Sequence, residues 1–316
     1  MRHDSGLAAS PPVRPILKLR RDHSPFACPV SSTLVIGATG NVGREVVSQL
    51  AAAGQQVRAL SRKPNEARFP PPVEVMYGDL TLPETLKGCL DGIDAVFLVW
   101  TAPPAAFAPA LDQIGKHARR IVFLSAPLKT PHPFFQQPNP SRTLTEQIER
   151  LIETSGLQWT FLRPGMFAGN SRLWWAPQIR ESDLVRWPYL SVPTAPIDER
   201  DIAAVAVRTL SEETHAAAGY VLTGPESLTQ FEQISTIGRV IGRALRIEEI
   251  SPEDAPRELL RIMPESVVRM LLEAWSAAVG LPAFVSSTVA EVTGKPARTF
   301  LEWATDHAAD FPCPGR

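Results

Sequence analysis

"TLVIGATGNVGREVV", Thr33 to Val47, decides how the rest of the chain is read. An apolar, β-branched run ends at Gly37. After "ATGNVG" the apolar residues fall at Val42, Val46, Val47 and Leu50, the spacing of one helix face. A strand, a tight turn and a helix therefore follow one another, with glycines at 37, 40 and 43 in a G-x-x-G-x-x-G pattern. Gly37 permits the turn. Gly40 lets a pyrophosphate approach the backbone, and Gly43 lets the helix sit close on the strand. The helix N-terminus adds unpaired N–H groups and partial positive charge. A glycine triplet alone is weak evidence. Placed between a strand and a helix that stops at Gly54, with a second strand behind it, the triplet points to a dinucleotide. Thr39, Asn41 and Val42 lie in the same loop and are expected at that ligand with Gly37, Gly40 and Gly43.

Outward from this unit, strands and helices alternate. "QQVRALS", "VEVMYGD", "DAVFLVW", "RRIVFLS" and "LQWTFLRP" read as strands two to six, with helical patterns such as "LPETLKGCL" and "AFAPALDQIGKHA" between them. Runs as apolar as "AVFLVW" imply strands covered on both faces. Right-handed crossovers then give an α/β, doubly wound parallel sheet of Rossmann type. After Gly165 the pattern loosens into a long aromatic, proline-rich stretch. "ERDIAAVAVRTL" (a helix), "GYVLTG" (a strand) and four helical segments follow. The expected organisation is an extension over 1–30, a nucleotide-binding domain over 31–165, and a smaller, mostly helical substrate lobe over 166–316 that partly returns to the main sheet.

Composition narrows the setting. A net charge of −1 supplies no bulk attraction to nucleic acid or to an anionic membrane, and no apolar stretch approaches a bilayer span. Cys28, Cys89 and Cys313 share no metal-type spacing and form no disulfide framework; together they indicate a reducing compartment, the cytoplasm, and no metal site. Residues 1–30 are proline-rich and lean basic, without the apolar core of a secretory signal. They read as a disordered extension; a transit peptide is the alternative.

Second-strand chemistry bears on which dinucleotide binds. An acid at the end of that strand bonds the ribose hydroxyl of NAD. Here the position holds Ser61, Arg62 and Lys63, whose cations suit a 2′-phosphate. NADP(H) is preferred, and NAD(H) also fits the signature.

The glycine spacing, "VRALSRKP", "YGDL", "SGLQWTFLRPGMFAGN", "IDERDIAAVA", "GYVLTGPESLT" and "EVTGKPARTFLEWATDH" occur in sequence. Over about residues 33 to 310 the chain resembles the NmrA-like, NAD(P)H-binding atypical short-chain dehydrogenases/reductases. That family includes quinone and azo reductases, iminium reductases, isoflavone-reductase relatives and redox-sensing regulators. The resemblance implies adenine contacts from Asp79 and Leu80, although Asp79 as a plain helix cap reads equally well. It also implies that Trp100 and Thr101 line the nicotinamide half, with a core position the alternative for Trp100.

The same resemblance exposes a loss. Active branches of the superfamily place Tyr-x-x-x-Lys on the helix after strand five, where tyrosine protonates the acceptor. Aligning Glu149, seven residues before Gly156, puts Ser141 at the tyrosine and Thr145 at the lysine. Ser125, at the end of strand five, survives. Ser125, Ser141 and Thr145 carry hydroxyls of high pKa that make poor general acids, and His132 in the preceding loop is the remaining candidate. Quinone-, azo- or imine-like acceptors tolerate this loss, because their reduced forms need no strong acid at the moment of reduction. Met166, Phe167, Trp174, Trp175 and Trp187 then read as the wall of a pocket for a planar, aromatic small molecule, or equally as packing that ties the smaller lobe to the sheet, and Asn170 resembles the family's F-x-x-N position facing the same cleft. The alternative function is a redox sensor that binds NADP(H) without chemistry.

Overall fold

β1 (Ser32–Ile36) hands over to α1 (Asn41–Ala52) through the glycine turn, and Gly54, with φ of 73°, ends the helix. Gly54 N–H donates to Ala51 O and Gln55 N–H to Leu50 O, the paired bonds of a Schellman stop. The structure, a computed structural model, describes residues 32–312 without the side chains of Pro140 and Ser141. The extension over 1–30, Cys28 and Cys313 lie outside the described residues.

The next elements are β2 (Gln56–Ser61), β3 (Glu74–Tyr77), α2 (Leu86–Leu90), β4 (Ala95–Leu98), α3 (Phe107–His117), β5 (Arg120–Leu124), α4 (Pro140–Glu153) and β6 (Gln158–Pro164). The distal part holds α5 (Asn170–Trp174), α6 (Ala176–Glu181), β7 (Leu184–Trp187), β8 (Pro193–Thr194), α7 (Glu199–Ser211), β9 (Ala218–Leu222), β10 (Leu228–Thr229) and α8 (Gln230–Val240). It closes with β11 (Arg246–Glu249), α9 (Ala255–Leu259), α10 (Glu265–Ala277), α11 (Thr288–Thr293) and α12 (Phe300–Asp306).

Seven parallel strands form the main sheet in the order β3-β2-β1-β4-β5-β6-β9. The doubly wound reading holds, and "GYVLTG" returns to the sheet edge as β9. Alternation across the pleat explains the two covered faces. Leu34, Ile36, Val96, Leu98, Ile121 and Phe123 share one core with α2, α3 and α4, whereas Val35, Phe97 and Val122 share the other with α1 and α7. Strand order reverses between β1 and β4, so a crevice opens at their carboxyl ends, where open α/β sheets bind ligands.

The distal helices make a third core around four tryptophans. Trp174, Trp175, Trp187 and Trp275 meet at centroid distances of 5.6 to 5.9 Å. Trp187 Nε1 donates to buried Gln230 Oε1 at 2.6 Å. Two of the strands here did not show in the sequence: β7 and β11 pair in parallel through four residues each. Each is too short for its alternation to stand out, and "TQFEQISTIGRVIGRAL" reads as one helix up to the start of β11, whereas α8 ends at Val240 and Gly242 takes φ of 69°. Among the described residues no helix is long and apolar enough to cross a membrane, and no cluster of three or more His, Cys, Asp or Glu side chains is placed to hold a metal.

The C-terminal segment is tied back onto α7. Asp198 caps α7 by accepting from Arg200 N–H at 2.9 Å. It also accepts from Arg298 Nε at 2.8 Å, and Asp201 accepts from Arg298 N–H at 2.7 Å. Burial raises the Asp201 pKa to about 6 from 3.8, although the Arg298 N–H works against the shift. The folded state therefore holds a proton on Asp201 that the unfolded state has lost, and stability falls as pH rises through that interval. Asp201→Asn, which keeps the acceptor oxygen, is expected to flatten this dependence and to add about 1–2 kcal/mol at neutral pH. Urea melts of both proteins at pH values spanning the interval measure it; parallel pH profiles would contradict it.

Candidate functional site

Two concavities lie at the carboxyl edge of the main sheet. The first is an open groove of about 330 Å³ above β1, β2 and β4. Gly37, Thr39 and Gly40 form one wall, Ser61 and Arg62 the end of β2, Asp79 and Leu80 the turn after β3, and Thr101 the segment after β4. Local physics shapes it. Gly37 adopts φ of 84°, and a Cβ there would sit 2.7 Å from Val99 Cβ. A Cβ on Gly43 would sit 2.1 Å from Gly37 O, so only glycine lets α1 start this close to β1. Gly40 precedes α1 with no side-chain cap, and the first turn carries no acid. The N–H groups of Asn41, Val42 and Gly43 have no partner within the helix, which leaves a site suited to an anionic phosphate. Asn41 is exposed, whereas the Val42 side chain is buried in the core.

Arg62 is exposed on the groove wall, held by no hydrogen bond or ion pair among the described residues. Lys63 differs: it pairs with Glu66 at 3.1 Å and does not line the groove. Asp79 accepts from the N–H and hydroxyl of Thr81, each at 2.8 Å, and those bonds lower its pKa. Its carboxylate thus folds its own turn rather than capping α2. Trp100 stacks edge-on against Phe107 at 4.8 Å and belongs to the core side, not to the groove lining.

The second concavity is a chamber of about 160 Å³ beyond the ends of β5 and β6. Ala126, Pro127, Pro164, Gly165 and Met166 form its floor. Phe134 and Phe135, edge-to-face at 5.0 Å, form one wall, and Met270 and Ala274 of α10 the other. Among the described lining residues Arg142 is the sole ionisable side chain. Its guanidinium donates to Leu128 O at 2.8 Å, Phe135 O at 3.1 Å and Glu146 at 3.1 Å. Phe134 and Phe135 carried a readable signal, two aromatics in a proline-bounded loop just after strand five. Met270 and Ala274 carried none, because they sit more than a hundred residues further along.

Residues 37–213 match the NAD(P)H-binding domain family. A (4-alkanoyl-5-oxo-2,5-dihydrofuran-3-yl)methyl phosphate reductase of Streptomyces griseus is 39% identical over 285 residues, 88% of this chain and 98% of the relative. The chain belongs to the NAD(P)H-binding, NmrA-like short-chain dehydrogenase/reductase family. An NAD(P)H azoreductase of Xenophilus azovorans is 36% identical over 88% of the chain and 98% of the relative. The NADPH-dependent quinone oxidoreductase of Escherichia coli shares the fold, with a TM-score of 0.72 at 22% identity over 87% of this chain and 99% of that one.

Against the catalytic pattern of this superfamily, the hydroxyls are engaged or set apart. Ser125 donates to Glu149 Oε1 at 2.6 Å. Glu149, buried at 3% exposure, accepts two bonds from the equally enclosed Arg163, at 2.9 and 2.7 Å. Ser125 thus belongs to a buried Ser–Glu–Arg chain joining β5, α4 and β6. Thr145 is half-buried on α4 and lines neither concavity; the Ser141 side chain lies outside the described residues. Both ring nitrogens of His132 are used. Nδ1 accepts from Phe134 N–H at 3.2 Å, which leaves Nε2 to carry the proton and donate to Pro282 O at 2.9 Å. His132 clasps two loops, and it lines a small cavity with Phe134, Phe135 and Met166.

The aromatic stretch also falls elsewhere than expected. Met166 does line the chamber, but Trp174, Trp175 and Trp187 are at most 7% exposed inside the distal core. Phe167 packs on the α1/α7 face of the sheet, where it bridges to Ile197, and Asn170 begins α5 outside both concavities. A hydrophobic run that supplies a lobe with its core looks, in sequence, like a pocket wall.

Glu149→Ala would leave Arg163 buried without its counter-charge. The expected loss is about 3–5 kcal/mol, read from urea unfolding. Replacing both members by apolar residues should recover much of that; a single-variant loss below about 1 kcal/mol would show that water reaches the pair.

Proposed function

We propose that this protein is an NADPH-dependent reductase of flat, conjugated acceptors, quinone-, azo- or imine-like, that need no proton from the protein as they are reduced. When bound, the reduced nicotinamide supplies the hydride. The chain's own residues do the rest. The N–H groups at the start of α1 and the Arg62 guanidinium fit the phosphates of the dinucleotide, with Arg62 favouring the 2′-phosphate of NADPH over NADH. Phe134, Phe135 and Met166 offer an apolar slot to a planar acceptor.

One observation carries this reading. Among the described residues that line the chamber, Arg142 is the one ionisable side chain, a guanidinium and so a poor proton donor, and the sequence carries Ser141 and Thr145 at the tyrosine and lysine positions. Reduction of a simple ketone creates an alkoxide that needs an acid at once. A quinone or an azo compound spreads the new charge until solvent protonates it, and an iminium becomes neutral. Two relatives support the class: the azoreductase, and the reductase whose named substrate is an unsaturated, carbonyl-bearing ring. An open chamber also favours turnover over the alternative of a redox sensor, for which such a space has no use.

Two measurements test the proposal. NADPH oxidation should proceed with quinones or azo dyes, remain undetectable with unactivated ketones, and vary less than about twofold between roughly pH 6 and 9. A bell-shaped profile, or no turnover with any conjugated acceptor, would overturn it. Arg62→Ala should raise KM for NADPH about tenfold or more while leaving KM for NADH nearly unchanged; equal effects on both cofactors would remove the 2′-phosphate assignment.

A further inference from the structure

The chamber does not end at its apolar wall. Asn139, Arg142 and Met270 also line a wider cleft of about 460 Å³, open to solvent, whose other side is one face of α10. Ser266, Arg269, Met270 and Glu273 stand there at helical spacings of three and four residues, so they share that face. The two spaces adjoin, yet differ in chemistry. The inner one is mostly apolar, and among its described lining residues the outer one carries two guanidiniums, two hydroxyls (Thr143 and Ser266) and one carboxylate.

The two arginines play different parts. Arg142 is committed to Leu128, Phe135 and Glu146, and those bonds fix it where chamber and cleft meet. Arg269 is exposed and has neither an ion pair nor a hydrogen bond among the described residues. Glu273, one turn along the same helix, forms no ion pair with it. A cation without a partner, beside a second held in place and a hydroxyl one turn away, is suited to an oxyanion. The carboxylates of Glu273 and Glu146 offset part of the field, so the attraction rests on direct contact with Arg269 rather than on long-range charge.

We infer that the acceptor is amphiphilic: a flat conjugated body fills the inner chamber, and a phosphate or carboxylate on a short chain is held in the outer cleft by Arg269, with Arg142 and Ser266 beside it. This inference rests on the reductase reading and names the substrate class for the same site. It also explains why an apolar slot opens into polar surroundings on its α10 side, since a wholly apolar acceptor would gain nothing from that mouth.

The test uses two naphthoquinones that differ in one respect: the same short side chain ends in a phosphate in one and in a hydroxyl in the other. The full-length protein should show kcat/KM about tenfold or more higher for the phosphate-ended compound, carried mainly by KM, and the ratio should shrink as salt is added. Arg269→Ala should bring the ratio toward one and Arg269→Lys should restore part of it, whereas Arg257→Ala, an exposed cation outside the cleft, should keep it. A wild-type ratio near one, or a ratio that Arg269→Ala leaves intact, overturns the inference while turnover still upholds the reductase. Were neither compound reduced, the reductase reading would fail by itself. Calorimetry of the phosphate-ended compound would then decide the cleft: tighter binding to the wild type than to Arg269→Ala supports it, and equal binding overturns it.

Discussion

The contact between Gly43 and Gly37 O is the constraint on which the rest depends. Any side chain at 43 would drive into that carbonyl, at a distance no real Cβ adopts. Its absence lets α1 begin directly over the end of β1, and three things follow. The first-turn N–H groups, unpaired within the helix, come to the carboxyl end of β1, α1 covers its side of the sheet through Val42, Val46 and Val47, and α7 can pack beside it in the same core. Anion site and hydrophobic layer share one steric requirement.

A second arrangement fixes the helix on which the family's tyrosine–lysine pattern falls. α4 is anchored by Glu149, whose carboxylate takes both Arg163 bonds and the Ser125 hydroxyl. An ion pair this enclosed is helped by the three hydrogen bonds that the Glu149 carboxylate accepts. Once Ser125 is committed to Glu149, it is poorly placed to help an acceptor. The helix still positions the chamber wall, since Arg142 on its first turn binds the carbonyls of Leu128 and Phe135 and thereby holds the aromatic loop.

Legibility followed the range of the interactions. The glycine turn, the parallel strands and the Gly54 stop depend on neighbours a few residues apart, and their signals are strong in the sequence. The groove residues Thr39, Ser61, Arg62, Asp79, Leu80 and Thr101 could be named because sheet topology sends the end of each strand to one edge. Lys63 and Trp100 show where that logic stops: adjacent positions at a strand end point different ways, one to Glu66 and solvent, the other into the core on Phe107. His132 looked like a spare acid because its partners, Phe134 N–H and Pro282 O, are a turn geometry and a residue 150 positions away.

By itself, then, the sequence determined the class of fold, the place of the glycine signature and the absence of Tyr and Lys from Pro140–Glu153, for these are written in local spacing and residue type. Only the tertiary structure decided which aromatics border an open space. Trp174, Trp175 and Trp187 close on Trp275 to fill the distal core, while Phe134, at the margin of that same core, and Phe135 also line the chamber. Burial of large apolar surface is non-directional, so the same residue types serve a core or a pocket equally well. What separates the two is whether neighbours close around every side of a ring or leave one side open, and that is set by how α10 and the 126–142 loop dock on the distal core.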